Sequence, residues 1–390
     1  MIYAMAHMRE RKLRVVFAKK LRQWPVLCVF GPRQCGKSTF LRELAFEEGS
    51  SAYFLFDRQA VREEARRNPE LFLKRAGSGG PIPIVLDEIH KSPNLFDEIK
   101  SVIDSGAKRP GQFVLTGSVR FSKKIGVRES LTGRAGSLQM DSMSLAETLG
   151  KGVTVDLSSL LRYLERGGMP AICFTREADV RQEYWQGWLE KLCEQDLKQF
   201  SRGRMESDLA YEAIRQCCLL EDPCAATIAK AIGQDSRRVL NHLDALVDLF
   251  VLRRLEAHPK GVGKTRFMPF DCGLAQFFGA PLFRRLQIAF FHHFVNERTY
   301  AGIETRGQLT YYRHPKGAAF DFVIGGRHFV RILDKVGPGG REVQKAEGIV
   351  GRIPKSRLTF LCATDENLGP LGDKIAALPW RELVPLVLGR

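Results

Sequence analysis

The chain of 390 residues contains no uninterrupted apolar run near the length of a membrane span, and with 44% hydrophobic residues it reads as a globular protein. Residues 1–12 turn charged before a secretory apolar segment forms, so no signal peptide is expected. Nine cysteines, an odd number without a C-x-x-C pair, exclude a disulfide framework and a zinc knuckle and point to a reducing cytoplasm. Adjacent Cys217 and Cys218 are expected in a helix as small buried residues. Acidic residues are also short: 44 Asp and Glu face 60 Lys and Arg, giving a net charge of +16. That excess favours polyanion partners, DNA first, with general basicity as the bland alternative. The length suffices for two or three domains, each with its own core.

What is present begins with Gly31-Pro32-Arg33-Gln34-Cys35-Gly36-Lys37-Ser38, which fits G-x-x-x-x-G-K-[ST] and is followed by Thr39. An apolar run over 25–30 precedes it as a buried parallel strand would, and a helix pattern starts at Ser38. Glycines let backbone N–H groups turn around phosphate oxygens, and the helix N-terminus aims further donors at them. In that chemistry residues Gly31 to Thr39 bind ATP, Lys37 reaches the β and γ phosphates, and Ser38 holds Mg2+. Cys35 has two readings: a thiolate favoured by the loop N–H groups and Lys37, reactive and shielded by bound nucleotide, or, as the favoured one, an inert loop position.

A basic amphipathic helix is expected over 8–23, with Leu13, Val16, Phe17 and Leu21 on one stripe and Arg9, Arg11 and Lys12 among the cations around it. A strand over 52–57, helices over 59–67 and 69–75, and a break over 77–81 follow. A third strand over 82–86 ends in Asp87 and Glu88. This acid pair suits Asp87 in the Mg2+ shell and Glu88 as the residue that orients and deprotonates the attacking water; the other reading is a helix cap. A helix over 94–105 precedes a strand over 112–115. Thr116, at the end of that strand, either senses the γ phosphate or simply opens a glycine turn. After a helix over 122–131, Arg134 is a candidate for stabilising the transferring phosphoryl group in its own or a neighbouring subunit, against the reading of a solvated arginine. A strand over 138–144 closes the sheet, and a helix over 145–149 leads out.

Taken together, Gly31 to Ser38, Leu86-Asp87-Glu88-Ile89-His90-Lys91, Leu115-Thr116-Gly117-Ser118, Leu131-Thr132-Gly133-Arg134 and Gly167-Gly168-Met169-Pro170 resemble the prokaryotic AAA-type ATP-binding proteins that carry a C-terminal domain of unknown function. The resemblance implies an α/β fold. A P-loop AAA-type ATPase core with a parallel sheet (1–150) would be followed by a helical segment (151–205), a winged helix (206–280) and a small α/β restriction-endonuclease-like domain (281–390). In the resembled family a segment similar to Cys193-Glu194-Gln195-Asp196 carries an Arg where Gln195 stands here, so any charge pairing made by that Arg is in doubt.

Residue patterns give the later modules more detail. A helix over 157–165, a break at Gly167 to Pro170 and a long helix over 179–200 come first, the last with a core stripe of aromatics. Helices over 209–220, 225–231 and 236–249 and a strand over 250–255 then read as a helix-turn-helix with a wing. Ser236 would cap the third helix, placing Arg237 and Arg238 where a recognition helix meets a major groove, and the loop carrying Lys264 would touch phosphates. The alternative is a lid or protein-docking module. Farther on, Glu297 on a helix over 288–300, Asp321 on a strand over 319–324 and Lys335 after a strand over 328–334 suit a nuclease centre. However, Leu333 replaces the second metal acid and Asp334 alternates away from Lys335, so a degenerate nuclease used for binding is expected. Three functions remain open. The first is ATP hydrolysis with Mg2+ that drives or switches the attached modules on DNA; the others are a nucleotide-switched DNA-binding protein without significant turnover and an ATP-regulated nuclease. A homo-oligomer or protein partner is possible, and no membrane association is expected.

Overall fold

The computed structural model describes residues 9–47, 52–77, 83–106, 109–120, 131–150, 152–201, 205–315, 319–351 and 353–389. The expected break over 77–81, beyond Gly77, and the expected helix over 122–131, before Leu131, lie outside them. The chain divides into two compact units. One comprises Arg11–Asp141 with Asp248–Phe250; the other holds Met1–Glu10, Ser142–Val247 and Val251–Arg390.

The first unit is built on five parallel strands, β1 (Val26–Phe30), β2 (Tyr53–Leu55), β3 (Ile84–Asp87), β4 (Phe113–Gly117) and β5 (Ala135–Gln139), in the order β2-β3-β4-β1-β5. Parallel neighbours need crossovers, which the chain supplies as helices. These are α2 (Lys37–Glu47), α3 (Gln59–Arg67), α4 (Pro69–Gly77) and α5 (Leu95–Ser105), while α1 (Leu13–Leu21) precedes β1. Phe72 of α4 and Phe96, Ile99 and Ile103 of α5 pack on Leu86, Phe113 and Leu115 of the sheet. Alternate residues on the other face, Leu27, Val29 and Val114, are buried as well, and burial on both faces is why β1 is apolar throughout and β4 is apolar up to Thr116. Strand β5 starts three residues earlier than the sequence suggests. Arg134 O accepts from Val26 N at 3.2 Å, which sets the register from Ala135 onward, and Gly136 leaves room for Trp24, whose ring a Cβ there would approach to 2.5 Å.

In the second unit, α6 (Leu145–Leu149) and α7 (Leu157–Arg166) open with capping boxes at Ser144 and Asp156. The break after α7 has a steric cause: a Cβ at Gly167 would lie 2.0 Å from Asp271 Oδ1, and one at Gly168 2.0 Å from Met143 O. The expected long helix is α8 (Ala178–Lys191), which passes into a π-helical turn over Leu192–Leu197 and resumes over Lys198–Ser201. The wide turn falls on the segment around Gln195.

Helices α9 (Ser207–Leu219), α10 (Ala225–Ile232) and α11 (Ser236–Asp248) and the antiparallel strands β6 (Leu252–Ala257) and β7 (Arg266–Pro269) follow. The expected cap at Ser236 is corrected: Asp235 Oδ1 accepts from Arg238 N at 2.8 Å, so Asp235 closes the start of α11 and Ser236 is its first residue. After the short α12 (Cys272–Phe277) comes α13 (Leu282–Tyr300). It packs on a sheet of β8 (Leu309–Arg313), β9 (Ala319–Ile324), β10 (His328–Leu333), β11 (Arg357–Cys362), β12 (Pro370–Gly372) and β13 (Ile375–Pro379), with Phe290 stacked on Phe322 at 4.5 Å. Strand β6 pairs in parallel with β8, so the hairpin and the end strands form one eight-stranded sheet. Residues 151–205, 206–280 and 281–390, read from sequence as successive modules, fall in this second unit apart from Asp248–Phe250, which belong to the first.

Candidate functional site

The carboxyl ends of β1, β3 and β4 bring the predicted residues of the first unit together. Because β4 runs between β1 and β3 with Leu115 opposite both Cys28 and Leu86, the parallel register sets Asp87 beside Thr116, and the loop leaves from the neighbouring strand end. A Cβ at Gly31 would lie 1.8 Å from Met140 O, so only glycine fits at the start of the loop. Gln34 and Glu88 both take left-handed conformations, with φ of 62° and 58°, an uncommon choice for residues with side chains and one that concentrates at functional sites.

Lys37 is 4% exposed, and its ammonium donates to Gly31 O at 3.0 Å and Pro32 O at 2.9 Å. Glu88 Oε1 lies 4.0 Å from it. A buried ammonium resting on carbonyls inside a loop that follows a strand, with the Glu88 carboxylate beside it, is a fit for phosphate. Ser38 and Thr39 occupy the first turn of α2, as anion recognition at a helix start requires.

Asp87 is fully buried. Thr116 donates to its Oδ1 and Tyr53 to its Oδ2. Thr116 Oγ1 also accepts from Glu88 N at 2.9 Å, so in this structure its hydroxyl ties the acid pair together. Glu88 Oε2 accepts from Ser118 N at 3.1 Å and Ser118 Oγ at 3.2 Å, and His90 Nδ1 lies 3.1 Å away. Burial pushes the Glu88 carboxyl up, but His90, Lys37 and the Ser118 N–H outweigh it and hold the group well below the usual carboxylate range. Burial and the neighbouring Asp87 push the Tyr53 phenol up. The donor set for Mg2+, the Ser38 hydroxyl and the Asp87 carboxylate, consists of oxygen ligands and fits a hard, oxygen-seeking cation.

Tyr53, Ser118, His90 and Arg11 were not found by sequence reading. Tyr53 lies two residues along β2 from Leu55, which pairs with Asp87. The pleat therefore puts its side chain on the Asp87 face about 6.6 Å back, a span that a tyrosine side chain bridges. Arg11, expected among the cations around the apolar stripe of the first helix, is buried and donates to Cys35 O at 2.9 Å and Asp141 O at 2.7 Å, fastening the loop backbone.

Two readings of the loop's surroundings are corrected. Cys35 is fully buried and donates to Met140 O at 3.2 Å; burial raises its thiol against the opposing pull of Lys37 and Arg11, so it is not an accessible thiolate. Arg134 does not join the cluster. It precedes β5, beside Val26 at the start of β1, and its guanidinium makes a paired contact with Asp104 at 2.7 and 2.6 Å. Five residues of strand, roughly 16 Å, separate it from the loop end of the sheet, so it does not act on the loop of its own subunit.

The residues proposed for DNA stand apart in behaviour. Arg237 is exposed; Arg238 is paired with Glu206 and donates to Gln234 Oε1 at 3.0 Å. The Lys264 side chain is exposed, but its loop lies along β8 through His258 N to Tyr311 O at 2.7 Å, Val262 N to Arg313 O at 2.9 Å and Tyr311 Oη to Lys264 O at 2.7 Å.

The nuclease pattern is dispersed. Asp321 accepts from Gln287 Nε2 and from Ile332 N, each at 2.8 Å, and lies 3.4 Å from Arg331 Nη1. The antiparallel register, carried one residue past Val330 and Phe322, sets Arg331 opposite Asp321, so a guanidinium already faces that carboxylate. Glu297 is ten residues beyond Gln287 on α13, about 15 Å along the axis. Lys335 pairs with Glu342 at 2.7 Å instead. No group of three metal-ligating side chains occurs among the described residues. All nine cysteines are free thiols, and no helix among the described residues is long and apolar enough to cross a membrane.

Residues 23–149 match a family described as an AAA domain, and residues 157–275 match one described as a domain of unknown function. Two uncharacterized proteins, one from Mycobacterium bovis and one from Mycobacterium tuberculosis, are each 26% identical over 251 residues, covering 64% of this chain and 53% of theirs. The chain thus spans about half the length of the curated relatives it matches. Among solved structures, a Walker-type ATPase of Pyrococcus abyssi is similar with a TM-score of 0.43 at 14% identity over 70% of this chain and 96% of that one. A Vibrio cholerae protein gives 0.20 at 12% identity over 94% and 97%. The match over 23–149 supports ATP binding and hydrolysis by the first unit.

Proposed function

We propose that this protein hydrolyses ATP with Mg2+ at the loop Gly31 to Thr39 and uses the cycle to drive or switch its second unit on DNA. The observation that carries the reading is the buried Lys37 ammonium, held on loop carbonyls 4.0 Å from a carboxylate kept strongly ionised. In the nucleotide complex Lys37 turns from Gly31 O and Pro32 O to the β and γ phosphates. Mg2+, held by Ser38 and the Asp87 shell, supplies charge neutralisation at the phosphate oxygens when bound. Glu88, fixed by Ser118 through Oε2, orients the attacking water and accepts its proton. With a loose transition state, orientation is the larger part of that role, which suits a carboxylate of low basicity. Arg134, remote from its own loop, would serve a neighbouring copy after leaving Asp104, so a homo-oligomer is part of the proposal.

The DNA part rests on the +16 charge and on exposed Arg237 and Lys264. The Arg331 and Asp321 pairing gives no support to a nuclease. Steady-state ATP turnover, measured with and without double- and single-stranded DNA, tests the whole reading. Stimulation by DNA, reduced in Arg237→Ala with Lys264→Ala and flattened in its salt dependence, is expected. Unchanged DNA affinity in that variant would remove the DNA assignment, while a full rate in Glu88→Gln would remove Glu88 from hydrolysis.

A further inference from the structure

A cleft of about 510 Å³ opens in the first unit between α3, which contributes Arg62, Glu63 and Arg66, and the chain leading into α5, which contributes Lys91, Ser92 and Asn94. None of these residues has a part in the proposed reaction. The two walls are tied together and braced: Asn94 Nδ2 donates to Ala65 O at 3.0 Å, and Arg62 Nη1 donates to Phe56 O and Asp57 O, each at 2.7 Å. Arg62 thus keeps Nε and Nη2 for a ligand while its guanidinium is held in place. Arg66, one turn farther along α3, is exposed and makes no ion pair among the described residues, and exposed Arg58, just before α3, continues the row at the same spacing. Four residues of helix advance about 6 Å, of the order of one nucleotide of extended strand. Glu63 is the acid among the cleft residues, and Gln59 Nε2 donates to its Oε1 at 2.7 Å. Lys91 pairs with Asp57, but the two side chains are 29% and 56% exposed; a pair so exposed contributes little, and the ammonium transfers to another anion at small cost.

We propose that this cleft holds the phosphodiester backbone of a single nucleic-acid strand without reading its bases. Guanidinium groups match phosphate oxygens two at a time, and a row of them meets successive phosphates. The cleft residues include no aromatic side chain on which a base would stack, so affinity follows charge and not sequence. Arg62 and Lys91 are half-buried, within reach of one flexible strand; a duplex, stiff over about 150 base pairs, offers only a convex surface. The concavity likewise disfavours a flat lipid surface, and the net charge of +16 draws polyanions to the chain as a whole. The inference goes beyond the proposed function: it places a nucleic-acid contact on the first unit, separate from Arg237 and Lys264 of the second, and requires no hydrolysis.

The test is fluorescence anisotropy of a labelled oligothymidylate titrated with the full chain at a series of salt concentrations. Arg58→Gln with Arg66→Gln removes two exposed cations that hold no ion pair among the described residues, a change that leaves the fold in place. Each phosphate contact on a single strand adds about 0.7 to the slope of log affinity against log salt, so the slope is expected to fall by about 1.4 and the affinity at about 0.1 M salt by roughly 25-fold. Arg66→Gln alone should give about half that change in slope, roughly fivefold in affinity, should the double variant not fold. An abasic strand of the same length should bind the wild-type chain as tightly as the oligothymidylate. Unchanged affinity and slope in the variants overturn the proposal, as does a marked loss on the abasic strand; an equal loss on duplex overturns the single-strand assignment. If polyglutamate at matched charge, or inorganic phosphate replacing chloride at constant ionic strength, displaces the label as well as unlabelled oligothymidylate does, the cleft takes carboxylates or free phosphate and the proposal falls. Arg237→Ala with Lys264→Ala, assayed alongside, keeps the two sites apart: a loss only there removes the cleft and leaves the second unit's assignment, and a loss only in the α3 variants does the reverse.

Discussion

Asp87 and Asp321 are both buried acids on sheet strands, and their surroundings differ in kind. The Asp87 carboxylate is contacted by two neutral hydroxyls, from Thr116 and Tyr53, and Asp321 by an amide, a backbone N–H and the Arg331 guanidinium. Hydroxyl donors satisfy a carboxylate's lone pairs without cancelling its charge, so Asp87 keeps an electrostatic demand that an incoming cation meets. Asp321 already has its cation, along with donors that cannot leave without orphaning a buried group. A strand acid equipped with exchangeable neutral partners is arranged for binding, and one with a fixed guanidinium is arranged for structure.

The largest test of this contrast is Glu88→Gln, which keeps shape and hydrogen bonding while removing the charge and the proton acceptor. ATP turnover should fall roughly 10²- to 10⁴-fold, with analogue affinity by calorimetry retained. Next is Lys37→Ala, which removes the buried ammonium that would face the phosphates. Analogue affinity is expected to drop by about 2–5 kcal/mol, as for other truncated buried charge pairs. Asp321→Ala should behave oppositely to both, with turnover unchanged and unfolding free energy lower by roughly 1–3 kcal/mol, because Gln287, Ile332 N and Arg331 lose their acceptor. A loss of turnover without a loss of stability in that variant would erase the distinction between the two acids.

The smallest effect concerns His328, on the same sheet as Asp321. Burial, with Arg357 nearby, lowers it to about 4, and Thr359 Oγ1 lies 2.8 Å from its Nε2. A histidine neutral when folded and protonated when unfolded contributes stability that is complete above its unfolded value near 6.5 and is lost as pH falls toward about 4. Denaturant unfolding at pH 7, 5.5 and 4.5 should show a decline of about 1–3 kcal/mol from this group, flattened in His328→Gln.

Much of the first unit was legible because its signals are local. The loop spacing, the apolar run over β1, the acid pair at the end of β3 and the threonine ending β4 are each contained in a few consecutive residues, and each appears where its strand ends. The boundaries of α3 and α5 were likewise within a residue or two of those expected. Tyr53 and Ser118 were not legible, since each depends on which strand lies beside which: Tyr53 matters through the pairing of β2 with β3, Ser118 through β4 standing next to the acid pair. Arg11 is a different failure. Arg9, Lys12 and Arg14 lie near it in sequence, and nothing local distinguishes the cation buried against Cys35 O from the others.

In the second unit the helices were readable from their periodicity, yet the end-domain site was misplaced because the residue facing Asp321 is set by antiparallel register. That register selects Arg331, four residues before the Lys335 that the pattern favoured. The wing was a similar case: β6 was legible as a strand, while its parallel pairing with β8 joins residues far apart in the chain.

The sequence by itself determined the parts whose physics is local: a glycine loop between strand and helix, an acid pair closing a strand, and an excess of positive charge. Tertiary structure decided which oxygen atoms share a carboxylate, that Arg134 stands at the far end of the sheet from its own loop, and that Asp321 is paired with a cation. Those outcomes depend on strand order and register. A displacement of one residue or one strand position exchanges a side chain's neighbours completely, and no short stretch of sequence carries that information.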